Sequence, residues 1–226
     1  IIFAMIKCGG GDDGLYEDRK FQQNIQGALA NGIQVGVYFY SGASNAREAY
    51  DEASFCISLI RDYQITYPVA FDWELDGDYD SVTEACETFC NVISSYGYQP
   101  MVYSNRNRWY NNFDGEKIAS KYKVWMAAYF GKFYYDSVRW TYGDELPNFR
   151  YHYDMWQYSS RCYVDGISGQ VDVDIAFFGY ANYHVDTKDA VLTVTNKEIK
   201  RTYGDGIGRL TEELNLLDGV KGINTI

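Results

Sequence analysis

The chain has 226 residues, 46% of them hydrophobic and only 3 proline, which excludes a disordered polymer and leaves room for one large domain, or a medium domain with a small appendage. Its net charge of −11, with no basic run to offset it, argues against nucleic acid or an anionic membrane as partner, and no stretch is long enough to span a bilayer. The 5 cysteines lack the short paired spacing of a disulfide framework or a zinc site, so they read as free, mostly buried thiols, and neither metal nor cofactor is expected.

Residues 3–8 read as a short buried strand. The following Gly9-Gly10-Gly11-Asp12-Asp13-Gly14 matches the spacing of a dinucleotide loop. Its two aspartates would repel a pyrophosphate, and no helix starts directly after it, so it reads as a plain loop. Residues 21–31 form a helix stopped by Gly32, and 34–41 form the next strand. Ala46, Ala49, Tyr50, Ala53, Ile57 and Ile60 recur at helical steps, with Cys56 beside that stripe. A strand over 69–74 follows. Val82, Ala85, Cys86, Phe89, Ile93 and Tyr96 then mark a helix ended by Gly97. Strands are expected over 99–105 and 123–129, separated by a polar aromatic loop and a short helix. From there helices give out, and strands over 153–160 and 171–178 are joined by the hairpin-like Asp165-Gly166-Ile167-Ser168-Gly169. Early strands alternate with helices, which implies parallel strands with right-handed crossovers in an α/β barrel or an open doubly wound sheet.

Within Tyr67-Pro68-Val69-Ala70-Phe71-Asp72-Trp73-Glu74, period-two alternation places Asp72 and Glu74 on one face at the C-terminal end of a strand, with Cα atoms roughly 6.5 Å apart. Catalytic groups of barrels sit at such strand ends. Two neighbouring carboxylates can supply an acid and a charge stabiliser, as glycoside hydrolysis requires; a solvated acid pair at a strand-to-loop junction is the other reading. The 23 tyrosines and 5 tryptophans fit sugar stacking as well as core packing. Trp73 alternates away from the acids into the core. His152 and His184 have no neighbours that suggest a ligand role.

Six fragments, in order, resemble the family 25 glycoside hydrolases, the muramidase-type lysozymes. They are Phe3-Ala4-Met5-Ile6-Lys7-Cys8-Gly9, the segment from Gly32 to Ser41, Asp72-Trp73-Glu74, Val102-Tyr103-Ser104-Asn105, Trp156-Gln157-Tyr158-Ser159, and Gly169-Gln170-Val171-Asp172-Val173-Asp174. The resemblance runs over about residues 3–180. It implies a TIM-like (β/α)5(β)3 barrel and cleavage of the β-1,4 bond between N-acetylmuramic acid and N-acetylglucosamine in peptidoglycan. Glu74 would be the proton donor. Asp72 would stay ionised and stabilise an oxazolinium-like intermediate formed by the substrate's own acetamido group. Asp172 would help to position the acid or the acetamido group, with Asp174 as the other candidate. Tyr40, Tyr103 and Gln157, near strand ends, would contact sugar or acetamido groups, or else pack in the core. The family's first strand, with an I-D-V-S-like motif, has no counterpart; the chain opens at Ile1 without an initiator methionine and looks like an excerpt. Reduced or absent activity of residues 1–226 is therefore expected, and the missing signal peptide says nothing about export.

After Tyr180 the composition changes. Residues 1–180 are expected to form the barrel, 181–189 a linker, and 190–226 a small helical appendage. The last segment is similar to the cell-wall-binding repeats of some lysins, with Tyr203 and Arg209 as contact candidates; a helical tail packed on the barrel is the alternative. The expected protein is a monomer acting outside the cell or at the cell wall, with peptidoglycan glycan strands as its partner. A family 18-like chitinase is a second reading, weakened by Ala70 where that family has a further Asp. A non-catalytic glycan-binding barrel is the third.

Overall fold

The computed structural model describes residues 1–178, which form a mixed α/β domain around one eight-stranded sheet. In chain order the elements are β1 (Phe3–Gly10), β2 (Tyr16–Glu17), α1 (Phe21–Ala30), β3 (Gln34–Tyr40), α2 (Ala46–Ile60), β4 (Val69–Asp72) and α3 (Tyr79–Ser95). They continue with β5 (Pro100–Asn105), α4 (Arg106–Asn111), α5 (Gly115–Ala119), β6 (Lys123–Ala127), α6 (Gly131–Tyr135), β7 (Met155–Cys162) and β8 (Val171–Ala176). The sheet order is β2-β1-β3-β4-β5-β6-β7-β8. Strands β1 and β3 to β7 run parallel, while β2 and β8 are antiparallel at the two ends.

Local chemistry sets most boundaries. Asn45, Asp78, Asn105 and Asp114 each cap a helix by accepting the backbone N–H three residues on. Gly32 and Gly97, with φ of +69° and +84°, end α1 and α3 at the expected stops. One face of the sheet packs Val35, Val37, Phe39, Phe71, Val102 and Trp156 against the buried sides of the helices. The other face carries Met5, Ala70, Met101, Trp125, Met155 and Ala176. Phe3 of β1 stacks on Tyr67 at 4.7 Å, and Phe178, beyond β8, meets the same ring at 5.3 Å. Residues from both ends of the sheet thus share one cluster, so the sheet is curled into a half-barrel and this face is concave.

The seven expected strands are all present, joined by the two-residue β2. Several details differ from expectation: β1 runs on through Gly9 and Gly10, β6 ends at Ala127, and two short helices, α4 and α5, stand where a polar aromatic loop and one short helix were expected. Strand β4 stops at Asp72, so Glu74 stands in the loop that follows. A short helix, α6, occurs where none was expected, built on the aromatic run after Phe130 and opened by Gly131 at φ +54°. The buried stripe of α2 runs through Ala49, Glu52, Ala53, Cys56 and Ile60, leaving Tyr50 exposed, because Glu52 turns inward to bind the loop after β3. Tyr96 lies past the last turn of α3 and is exposed. All five cysteines are free and buried, as their positions suggested. The expected linker and cell-wall-binding segment, with Tyr203 and Arg209, lie outside the described residues.

Candidate active site

Alternation along each strand decides which side chains reach the concave face. Phe3 and Met5 line it, so Lys7 points the same way; likewise Ala70 leads to Asp72, Tyr38 to Tyr40, Met101 to Tyr103, and Met155 to Gln157. Strand β8 runs the other way, and Ala176 leads back to Asp174 and Asp172. The C-terminal mouth of the parallel strands therefore gathers Lys7, Tyr40, Asp72, Tyr103, Gln157 and the β8 aspartates.

The backbone around the acid pair is pinned from both sides. Ser41 N–H donates to the Asp72 carbonyl (2.8 Å), and Trp73 N–H donates to the Tyr103 carbonyl (3.3 Å). The Ser104 hydroxyl donates to the Trp73 carbonyl (2.8 Å), and Arg108 Nε donates to the Leu75 carbonyl (3.0 Å). Trp73 turns to the helix side as expected, 1% exposed, with its indole N–H on the Ala43 carbonyl. Glu74 follows as a half-buried side chain facing the mouth.

Asp72 is 4% exposed, and its Oδ1 is buried without a hydrogen-bond partner among the described residues. Burial first, then the neighbouring Glu74 charge, pushes the Asp72 carboxyl well above the usual carboxylate range, while Lys7 pulls it down. Glu74 is also raised by burial and by Asp172, against the lowering influence of Arg108 and Lys7. A raised Glu74 suits a proton donor. Enclosure raises Asp72 as well, so the negative charge expected of it depends on a nearby cation, and Lys7 is the one that acts on both acids.

The two β8 aspartates have different surroundings. Asp174 Oδ1 accepts the indole N–H of Trp125 at 2.7 Å, and burial pushes its carboxyl up to about 8. Asp172 is exposed toward the mouth, and its charge acts on Asp72 and Glu74. Tyr103 donates to Gln157 Oε1 (2.9 Å), and the Tyr129 hydroxyl reaches the same oxygen. Tyr103 and Gln157 are thus bound to each other, 7% and 4% exposed, and only the carboxamide nitrogen of Gln157 is left for another acceptor. Tyr40 offers its ring to Lys7, whose Nζ lies 4.8 Å from the centroid.

Sequence reasoning missed Lys7, Arg108, Trp125 and Tyr129. Lys7 was legible in principle, because a lysine that continues the Phe3–Met5 face of a buried strand needs a counter-charge. Tyr129 was legible in the same way, because it continues the Trp125–Ala127 face of the strand expected over 123–129, whereas Arg108 lies in the short helix α4, in a stretch read as a loop. Among the described residues, no group of three or more His, Cys, Asp or Glu is placed to hold a metal ion.

A family model described as Glycosyl hydrolases family 25 matches residues 1–167. An autolytic lysozyme of Clostridium acetobutylicum is 25% identical over 224 residues, covering 93% of this chain and 59% of its own length. A lysozyme of Streptococcus phage Cp-1 is 30% identical over 137 residues, covering 56% of this chain and 37% of its own. The chain thus spans less than two thirds of either relative. Among solved structures, the CTP1L endolysin superposes with a TM-score of 0.63 at 26% identity, covering 84% of this chain and 63% of that one. The modular autolysin LytC of Streptococcus pneumoniae, in complex with a synthetic peptidoglycan ligand, gives 0.61 at 27% identity, covering 77% and 40%.

Proposed function

The chain belongs to glycosyl hydrolases family 25, and on that premise we propose that the concave mouth hydrolyses the β-1,4 bond between N-acetylmuramic acid and N-acetylglucosamine in peptidoglycan. The observation that carries this reading is the convergence of Asp72, Glu74 and Asp172 at one mouth, with Glu74 raised toward the protonated form. The described half-barrel is then most of a (β/α)5(β)3 barrel.

In this reading Glu74 gives its proton to the glycosidic oxygen as the bond to C1 breaks. The carbonyl oxygen of the substrate's acetamido group closes on C1, forming an oxazolinium ion, and Asp72 stands against the positive charge. Glu74, now ionised, takes a proton from the water that reopens C1. Asp172 orients the acetamido group or the acid. Tyr40 and the carboxamide nitrogen of Gln157 meet sugar groups at the rim, and Tyr103 acts through Gln157. Residues 190–226 are assigned to wall binding, with Tyr203 and Arg209 as contacts. The protein works as a monomer, outside the cell or at the wall.

The test is product chemistry. Purified cell walls incubated with the protein should release saccharides with N-acetylmuramic acid at the new reducing end, and chitin should remain intact. New N-acetylglucosamine reducing ends from chitin would favour the chitinase reading. Binding to walls without any new reducing ends would favour a glycan-binding barrel.

A further inference from the structure

The triglycine that closes β1 has a steric purpose that the hydrolase reading leaves unexplained. A Cβ on Gly9 would lie 2.2 Å from the Tyr16 carbonyl oxygen, and one on Gly10 would lie 2.4 Å from the Tyr16 hydroxyl oxygen and 2.6 Å from Cζ. These glycines let β2 fold back on β1 so that the Tyr16 side chain packs directly against Gly10. The Tyr16 hydroxyl donates to Asp12 Oδ1 at 3.0 Å, which fixes the ring. Lys7 then lies between two tyrosines: its ammonium donates to the Tyr16 hydroxyl, with Nζ 5.6 Å from that ring's centroid, and sits 4.8 Å from the centroid of Tyr40. Tyr40 is the strand partner of Asp72.

From this arrangement we infer that Lys7, gripped between Tyr16 and Tyr40, is the fixed counter-charge of the Asp72–Glu74 pair and a positioning residue for hydrolysis. Its role in hydrolysis rests on the function proposed above; its electrostatic role does not. Among the described residues Lys7 makes no direct ion pair, whereas Lys123, facing inward at the opposite end of the sheet, is paired with Asp154 at 3.0 Å. The Tyr16 hydroxyl and the Tyr40 ring hold the ammonium in place, and its charge acts through space on the acids of the mouth. The groups facing the acids are Tyr38 and Tyr40 from β3, Tyr103 from β5, Arg108 from α4, Tyr129 beyond β6, Asp172 and Asp174 from β8, and Lys7 from β1, with Tyr16 of β2 and Asp12 beside Lys7. Of these, Arg108 acts on Glu74 and is tied to the Leu75 carbonyl, which leaves Lys7 as the cation that acts on Asp72.

The experiment compares wild type, Lys7→Met, Lys7→Gln and Lys7→Arg by carboxyl-carbon NMR titration of the free protein and by the pH profile of wall hydrolysis. Met and Gln should raise the titration midpoint of the Asp72–Glu74 pair by about one pH unit and move the acid limb of the profile the same way. Arg should restore most of the wild-type behaviour. Unshifted carboxyl titration in both neutral variants would overturn the inference, as would a shift in Lys7→Arg as large as in Lys7→Met. The carboxyl titration decides the role of Lys7 whether or not the wild type hydrolyses walls, so failure of the functional reading and failure of this inference are told apart.

Discussion

Replacing Asp174 with asparagine isolates the electrostatic strain that the fold places under the mouth. The Asp174 carboxyl is raised to about 8 by burial, with the Trp125 hydrogen bond opposing that rise and the Asp172 charge adding to it. In the unfolded chain the same group titrates near ~3.9. Below that value both states carry the proton and Asp174 contributes no pH dependence. As pH rises from about 4 to about 8 the unfolded chain releases its proton while the folded protein keeps it, so stability falls by roughly 1.4 kcal/mol per unit. The span sets a ceiling of about 5–6 kcal/mol, and water reaching a half-buried residue reduces this to about 2–3 kcal/mol. Asparagine keeps an acceptor for the indole N–H and cannot ionise. Urea unfolding at several pH values is the assay: Asp174→Asn should match wild type near pH 4 and exceed it by about 2 kcal/mol at pH 8. At this domain size that corresponds to roughly 4–8 °C in Tm. Parallel stability curves for the two proteins from pH 4 to 8 would refute the reasoning.

Glu52, 4% exposed, accepts the Ser41 hydroxyl at 2.5 Å and the Gly42 N–H at 2.8 Å, holding the loop after β3. Glu52→Ala should cost about 2–4 kcal/mol in denaturant unfolding at neutral pH, because it leaves two enclosed donors without an acceptor. The hydrogen bond with Cys8 and then burial raise the Cys56 thiol, and burial raises those of Cys86 and Cys90, so the native protein should resist a thiol reagent and yield five reactive thiols only after unfolding. Rapid labelling of Cys86 or Cys90 in the folded protein would contradict that burial. Gly10→Ala should disturb Tyr16 and move the carboxyl titration in the same direction as Lys7→Met, by a smaller amount, readable by the same NMR experiment.

The parts of the fold legible in sequence are those governed by a repeating period. Strands at two-residue alternation and helices at three- and four-residue steps emerged with their buried faces, down to Trp73 packing behind the acids. Asp72 and Glu74 were legible as neighbours because they stand two residues apart at a strand end, but the period did not show that Glu74 belongs to the loop after β4. The same period left Asp172 and Asp174 undecided, since it places both inward and says nothing of depth; the Trp125 indole makes the difference. Glu52 was invisible because a charged residue beside an apolar stripe ordinarily faces water, and only the donors of Ser41 and Gly42 on another element make its burial tolerable. Lys7 was hidden inside a fragment read for its resemblance, and its meaning depends on Tyr16 and Tyr40 arriving from two other strands. The short helix α6 has too few residues for any period to show.

The central claim, that Glu74 is the acid of a wall-cleaving mouth, is tested most directly by the rate at which purified cell walls yield new N-acetylmuramic acid reducing ends. Wild type and Glu74→Gln should be compared at equal amounts of wall-bound protein. The variant should bind walls as wild type does and release reducing ends at least ~100-fold more slowly. Equal rates from the two proteins would contradict the assignment.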